Sequence, residues 1–197
     1  MYKLYAFFDL DQLNDETLQW YMRYLPEERK TKVLCYRREI DRKLSVASYL
    51  LLIYALYKEF NLSNPVIAYT DKGKPYMPDH PDIHFNISHC PLGCVCAVSD
   101  KPIGVDVQDI RPFFHDIANH CCSSGELLLL TQSADPALHF TRMWAMKESY
   151  LKMTGEGIAK SLHAIDTTGV YNTLHTTFTN NCFIAVSSAH FFREEFK

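Results

Sequence analysis

The chain has 197 residues, 47% of them hydrophobic and 22% charged, which is enough apolar material for one or two small packed domains and too much for a disordered segment. Twenty Lys and Arg against 23 Asp and Glu leave a formal net charge of −3, which argues against a general nucleic-acid binder. The longest apolar run, Tyr49 to Tyr57, falls well short of the roughly 20 residues of a membrane span. No membrane association is expected. The opening MYKLYAFFDLD has neither the charged region nor the small-residue cleavage site of a secretory signal, so the expected location is cytoplasmic. Seven cysteines, an odd number without a paired C-x-x-C motif, predict reduced, semi-buried thiols rather than a disulfide framework or a structural zinc site.

In chain order, an apolar strand is predicted around Lys3 to Phe8. Pro26-Glu27-Glu28 reads as a helix start, and Val33, Tyr36, Ile40, Leu44, Ala47 and Leu51 then recur at three- and four-residue steps, the spacing of one helical face. Helix is expected from about Pro26 to Phe60, as one piece or two. Between Arg29 and Lys43 stand seven Lys or Arg and two acids, a local positive segment in an acidic protein or simply a solvated helix face. The Pro- and Gly-punctuated residues 71–81 predict loop and turn. Strands are predicted over Ile83 to Ile87 and Gly93 to Val98, joined as a hairpin at Ser88-His89-Cys90-Pro91, and over Ile103 to Val107.

Further on, Ser123-Ser124-Gly125-Glu126 has the spacing of a capping box and opens a helix. A longer helix is predicted from Pro136 to Met153, ending at Thr154-Gly155-Glu156-Gly157, with short strands after it. Cys94-Val-Cys-Ala-Val-Ser99 and Cys182-Phe-Ile-Ala-Val-Ser187 align without gaps. Either two half-domains of related structure share this pattern, or two buried strands are alike by chance.

Three segments carry candidate chemistry. In Ile103-Gly-Val-Asp-Val-Gln-Asp109, strand alternation sends Val105 and Val107 into the core and projects Asp106 and Gln108 together on the other face. A carboxylate there suits a hard cation, with Gln108 as a neutral oxygen donor, although a solvent-facing Asp at a strand end has the same sequence. In Trp144-Ala-Met-Lys-Glu-Ser-Tyr-Leu-Lys152, residues Trp144, Glu148 and Lys152 form one helical stripe. Glu148 and Lys152 make either a surface i,i+4 ion pair, or a metal ligand or base together with a phosphate-neutralising ammonium. Lys74 after a turn glycine, and Ser88 with His89, offer donors suited to phosphate oxygens.

Gly73-Lys-Pro75, Phe85-Asn-Ile-Ser-His89, Gly104-Val-Asp-Val-Gln108 and Trp144-Ala-Met-Lys-Glu148 with Lys152 together resemble, in order and spacing, the Sfp-type 4′-phosphopantetheinyl transferases. The resemblance implies an α+β fold of two similar subdomains, each a small antiparallel sheet with a long helix, related by a pseudo-twofold with the active site in the cleft between them. Residues 1–101 and 102–197 would be the two halves, the second carrying the metal site. It also implies a Mg²⁺-dependent enzyme that transfers the 4′-phosphopantetheine arm of coenzyme A to a serine of an apo acyl or peptidyl carrier protein, releasing 3′,5′-ADP and forming the holo-carrier, and a monomer.

By the same resemblance, Asp106, Gln108 and Glu148 would hold the metal, with Gln108 standing where many relatives carry Glu. Glu148 and Lys152 would be catalytic, and Arg42, Lys43, Lys74, Ser88 and His89 would bind coenzyme A. Glu28 and Thr31 stand where well-known members have lysines, and Arg29, Lys30 and Lys32 are their candidate substitutes. Glu126 matches an acidic position near the active site and equally completes its capping box, the reading favoured here. Ile158 and Leu162 fall where relatives receive the carrier. A non-catalytic coenzyme A or carrier-binding homologue is the alternative. An unrelated metal-dependent phosphohydrolase is disfavoured because no clustered metal-binding His/Asp motif occurs.

Overall fold

The computed structural model describes residues 1–157, 162–168 and 175–189. In chain order its elements are β1 (Tyr2–Phe7), α1 (Asp15–Met22), α2 (Glu27–Cys35), α3 (Glu39–Phe60), β2 (Ala68–Tyr69), β3 (Pro75–Tyr76), β4 (His84–Cys90), β5 (Gly93–Ser99) and β6 (Ile103–Asp109). These are followed by α4 (His115–Cys121), α5 (Ser124–Thr131), α6 (Pro136–Thr154), β7 (His175–Thr179) and β8 (Cys182–Ser188). One three-stranded antiparallel sheet has the order β1-β5-β4, another the order β6-β8-β7, and β2 pairs with β3. The short β2–β3 pair lies partly in the stretch expected to be all turn, because Pro75 and Tyr76 pair with Tyr69 and Ala68.

The predicted helix from Pro26 to Phe60 is two pieces. Tyr36 and Arg38 are extended, and the break lets α2 fold back so that Val33 packs with Val46 of α3, Leu18 and Leu25. A continuous helix would hold Val33 and Val46 about 20 Å apart along its axis. Helix α1 was not anticipated, although Asn14 caps it by accepting from the Thr17 N–H at 2.9 Å, a local signal present in the sequence.

Strand alternation builds four layers. Cys96 and Val98 of β5 face Leu52, Ala55 and Leu56 of α3. Val95 and Ala97, pointing the other way, meet Val105 and Val107 of β6 and Ile184 and Val186 of β8. The far side of the second sheet, with Phe183 and Ala185, packs on Ala145 and Met146 of α6. The order is therefore α3, first sheet, second sheet, α6. The sequence echo falls on equivalent strands: β5 and β8 are each the centre of their sheet, and Phe7 lies opposite Cys94 as Asp109 lies opposite Cys182.

Side chains of β4 stitch the sheets together along the edge of β6. The Val105 N–H donates to Asn86 Oδ1 at 2.8 Å and the Val107 N–H to Ser88 Oγ at 3.3 Å, satisfying edge donors that would otherwise be buried without partners. This seam corrects the expected hairpin. Ser88, His89 and Cys90 belong to β4, paired through Cys90 with Gly93, and the reversal occurs at Pro91 and Leu92. Cys90 points inward, with its Sγ 3.4 Å from that of Cys182. At Gly104 a Cβ would stand 1.9 Å from the Ser149 carbonyl oxygen and 2.4 Å from the Met153 nitrogen, so only glycine lets α6 lie flat on β6.

Candidate active site

The face of β6 opposite the inter-sheet core presents Asp106 and Gln108 beside α6. Asp106 is 2% exposed, which excludes the reading of a solvent-facing strand end. Its Oδ1 accepts from Lys152 Nζ at 2.6 Å and from Ser88 Oγ at 2.8 Å, and its Oδ2 from Gln108 Nε2 at 2.9 Å. Ser88 also accepts from Lys152 at 2.8 Å. Helix α6, capped by Asp135 and closed by Gly155 in the left-handed conformation, runs across this face. Its stripe of Trp144, Glu148 and Lys152 lines one cavity of ≈ 370 Å³ together with Ser88, His89, Asp106 and Gln108.

Of the two readings for Glu148 and Lys152, the i,i+4 ion pair does not form, because the ammonium turns across to Asp106. Glu148 is left with Oε1 buried and without a hydrogen-bond partner. Burial first, and the Asp106 charge second, hold its carboxyl above the usual carboxylate range, against the opposing pull of Lys152. A buried carboxylate oxygen without a donor is costly unless something fills the place beside it. Two carboxylates facing one cavity suit a hard divalent cation, and the orphaned oxygen fits one.

Two further cavities adjoin the first at Ile87, which lines all three. One, of ≈ 320 Å³, lies between the Lys72–Pro75 turn and the end of α6, and Lys74, Glu148 and Lys152 reach its wall. Lys74 Nζ donates to the Met153 carbonyl at 2.5 Å, and burial lowers the pKa of that ammonium. The other, of ≈ 510 Å³, is lined among others by Arg29, Lys32, Tyr36, Tyr49, Tyr69 and His89. His89 is open to solvent on one side and crowded on the rest; partial burial first, and Lys152 second, lower its pKa.

The remaining candidates scatter. Arg42 and Lys43 line none of these cavities, and Lys43 pairs with Glu39 at 2.7 Å. Lys30 pairs with Glu27, whereas Arg29 donates to the Ser45 carbonyl and stands over the Tyr49 ring. Glu126 completes its capping box with Ser123 and lies away from the three cavities. Leu162 is half-buried, and Ile158 lies outside the described residues. Sequence reasoning passed over Asn86, which bonds the seam, and Lys147, whose buried ammonium reaches Glu126 Oε2 and the Cys121 carbonyl at 2.6 Å and the Leu162 carbonyl at 2.9 Å. A signal for Lys147 existed: it stands between Met143 and Leu151 at i, i+4 and i+8, an apolar stripe that admits a lysine only with a buried partner.

A family model described as 4′-phosphopantetheinyl transferase superfamily matches residues 102–195, and one described as 4′-phosphopantetheinyl transferase, N-terminal, matches residues 13–101. The 4′-phosphopantetheinyl transferase Sfp of Bacillus subtilis is 29% identical over 164 residues, 81% of this chain and 73% of that one. The chain belongs to the Sfp-type 4′-phosphopantetheinyl transferase family. Another transferase of this type from Bacillus subtilis is 35% identical over 68% of this chain. The L-aminoadipate-semialdehyde dehydrogenase-phosphopantetheinyl transferase of Saccharomyces cerevisiae is 26% identical over 79% of it. Both of these alignments span 62% of the relative's own length. Among the described residues no helix is long and apolar enough to cross a membrane.

Proposed function

We propose that this transferase moves the 4′-phosphopantetheine arm of coenzyme A onto a serine of an apo acyl or peptidyl carrier protein, releasing 3′,5′-ADP, with Mg²⁺ as its cation. In this reading residues 1–101 and 102–197 are pseudo-twofold halves, and the chemistry lies in the cleft between them. The enzyme is a cytoplasmic monomer of the holo-carrier-forming type. One observation carries the reading: Ser88 and His89 of β4, Asp106 of β6, and Glu148 and Lys152 of α6 converge on one cavity in which a carboxylate oxygen is buried without a partner.

Asp106 and Glu148 would hold the cation, with Gln108 beside Asp106 on β6. Bound there, Mg²⁺ supplies neutralisation of the pyrophosphate charge that builds during phosphoryl transfer. The Glu148 carboxylate takes the proton from the acceptor serine hydroxyl. Its place on α6 fixes it in the cavity wall. The serine oxygen then forms a bond to the β-phosphorus of coenzyme A as the bond from that phosphorus to the bridging oxygen breaks. The lost electron pair leaves on 3′,5′-ADP. Lys152, on the wall shared by two cavities, meets the charge on the transferring phosphoryl group. His89 and Lys74 donate to the phosphates, Ser88 holds Asp106 and Lys152 beside them, and Arg29 and Lys32 supply positive charge in the ≈ 510 Å³ cavity for the nucleotide end. Arg42 and Lys43 are assigned no contact, since they line none of the three cavities.

The test is to incubate the protein with coenzyme A, Mg²⁺ and an apo-carrier and to weigh the carrier by mass spectrometry. A phosphopantetheine mass gain that chelator prevents is expected, and Glu148→Gln should abolish it while the far-UV circular dichroism stays unchanged. Coenzyme A binding without any mass gain in the wild type would instead support a non-catalytic binding homologue. Near-wild-type turnover by Glu148→Gln would remove Glu148 from the mechanism.

A further inference from the structure

We infer that Gln108 is a positioning residue for Asp106: its amide N–H braces that carboxylate so that the site stands assembled before a cation arrives, and Gln108 is not itself a ligand. The inference rests on the proposed reaction only for the identity of the cation.

The geometry is that of two neighbours on one face of a strand. Residues 106 and 108 are i and i+2 on β6, which sets their side chains side by side. Asp106 has two oxygens with different company. Oδ1 is held from the other elements, by Ser88 of β4 and Lys152 of α6. Oδ2 accepts from Gln108 Nε2 at 2.9 Å. The two ends of a glutamine amide have the same shape, but only the NH₂ end can face a bare carboxylate, because the carbonyl end and the carboxylate are both acceptors. A ligand role for the Gln108 carbonyl would turn the NH₂ away and leave Oδ2 without this donor in a carboxylate 2% exposed.

Charge points the same way. Asp106 and Glu148 already place two carboxylates in one cavity, with Lys152 the cation bonded to Asp106. A third carboxylate at position 108 would stand at hydrogen-bonding distance from Asp106 with no proton between them. Only a bound cation would relieve that repulsion. The uncharged amide removes the need, at the expense of one anionic group and therefore of cation affinity.

Position 108 is open enough for isosteric exchange, being half-buried at the strand end. Gln108→Glu keeps the shape and adds a charge; Gln108→Met approximates the shape and removes the donor. Both are followed by thermal unfolding in chelator and in excess Mg²⁺, without coenzyme A or carrier. Mg²⁺ alone is titrated against tryptophan fluorescence in a Trp20→Phe background, where Trp144 in the cavity wall is the single reporter.

In chelator both variants are expected to melt about 3 °C below the parent. Mg²⁺ raises Gln108→Glu most and binds it about tenfold tighter than the parent, and it binds Gln108→Met several-fold more weakly. Variants that match the parent in chelator, differing only once Mg²⁺ is present, would make Gln108 a ligand and overturn the brace. Carrier modification is scored separately by mass, so a parent that shows these shifts yet transfers nothing refutes the proposed reaction and leaves the brace standing.

Discussion

Lys147→Met removes one partner of a pair whose side chains are 1% and 0% exposed. The substitution nearly conserves volume, so the cavity contribution is small and the loss is electrostatic. Removing one member of a buried ion pair costs about 3–5 kcal/mol, because the other charge stays behind. Glu126 keeps three donors, the Thr167 N–H at 2.8 Å, the Thr167 hydroxyl at 2.5 Å and the Ser123 N–H at 2.7 Å. The Cys121 and Leu162 carbonyls lose theirs to Lys147. The retained donors put the expected loss near the lower bound, about 3 kcal/mol, which for a chain of this size lowers the melting temperature by about 9 °C. Calorimetry measures it directly. Lys147→Met with Glu126→Gln should recover part of the loss, since the stranded charge is then gone. A loss under about 1 kcal/mol, or a double variant no more stable than the single one, would refute the assignment of Lys147 and Glu126 as a buried pin.

Gly104→Ala drives a methyl into the backbone of α6 at Ser149 and Met153; it should cost about 3 kcal/mol or more or prevent folding, and an Ala variant melting within a degree or two of the parent would show that α6 can lift from β6. The His89 imidazole should titrate below 6.5 by proton NMR and move up in Lys152→Ala, while an unmoved His89 would exclude coupling across the cavity. Since the unfolded chain takes up this proton first, the small stability that neutral His89 contributes is present above pH 6.5 and is lost as pH falls through its folded value.

Much of this molecule was readable because local rules act on neighbours. Ser123 and Glu126 capped their helix as spacing predicted, Gly155 ended α6, and alternation along β6 sorted Val105 and Val107 from Asp106 and Gln108. Even the echo of Cys94–Ser99 in Cys182–Ser187 marked equivalent strands. Errors arose where a distant surface decided. The hairpin was placed too early because Ser88 reads as a turn residue, whereas its hydroxyl is wanted by the Val107 N–H and by Asp106.

By itself the sequence determined the principal strands and the long helix α6, and the faces of β6 and α6, because each depends on periodicity and on side-chain type, while the list of candidate site residues came from the resemblance of its motifs. Tertiary structure decided the pairing of charges. Glu148 had Lys152 four residues away on its own helix, and the lysine went instead to Asp106, while Lys147 went to Glu126. The physical reason is desolvation: both acids are buried, but Asp106 is 2% exposed against 9% for Glu148, and the more deeply buried carboxylate claims the ammonium. Glu148 keeps Oε1 buried without a hydrogen-bond partner in the wall of the cavity it shares with Asp106, an arrangement invisible in the linear chain.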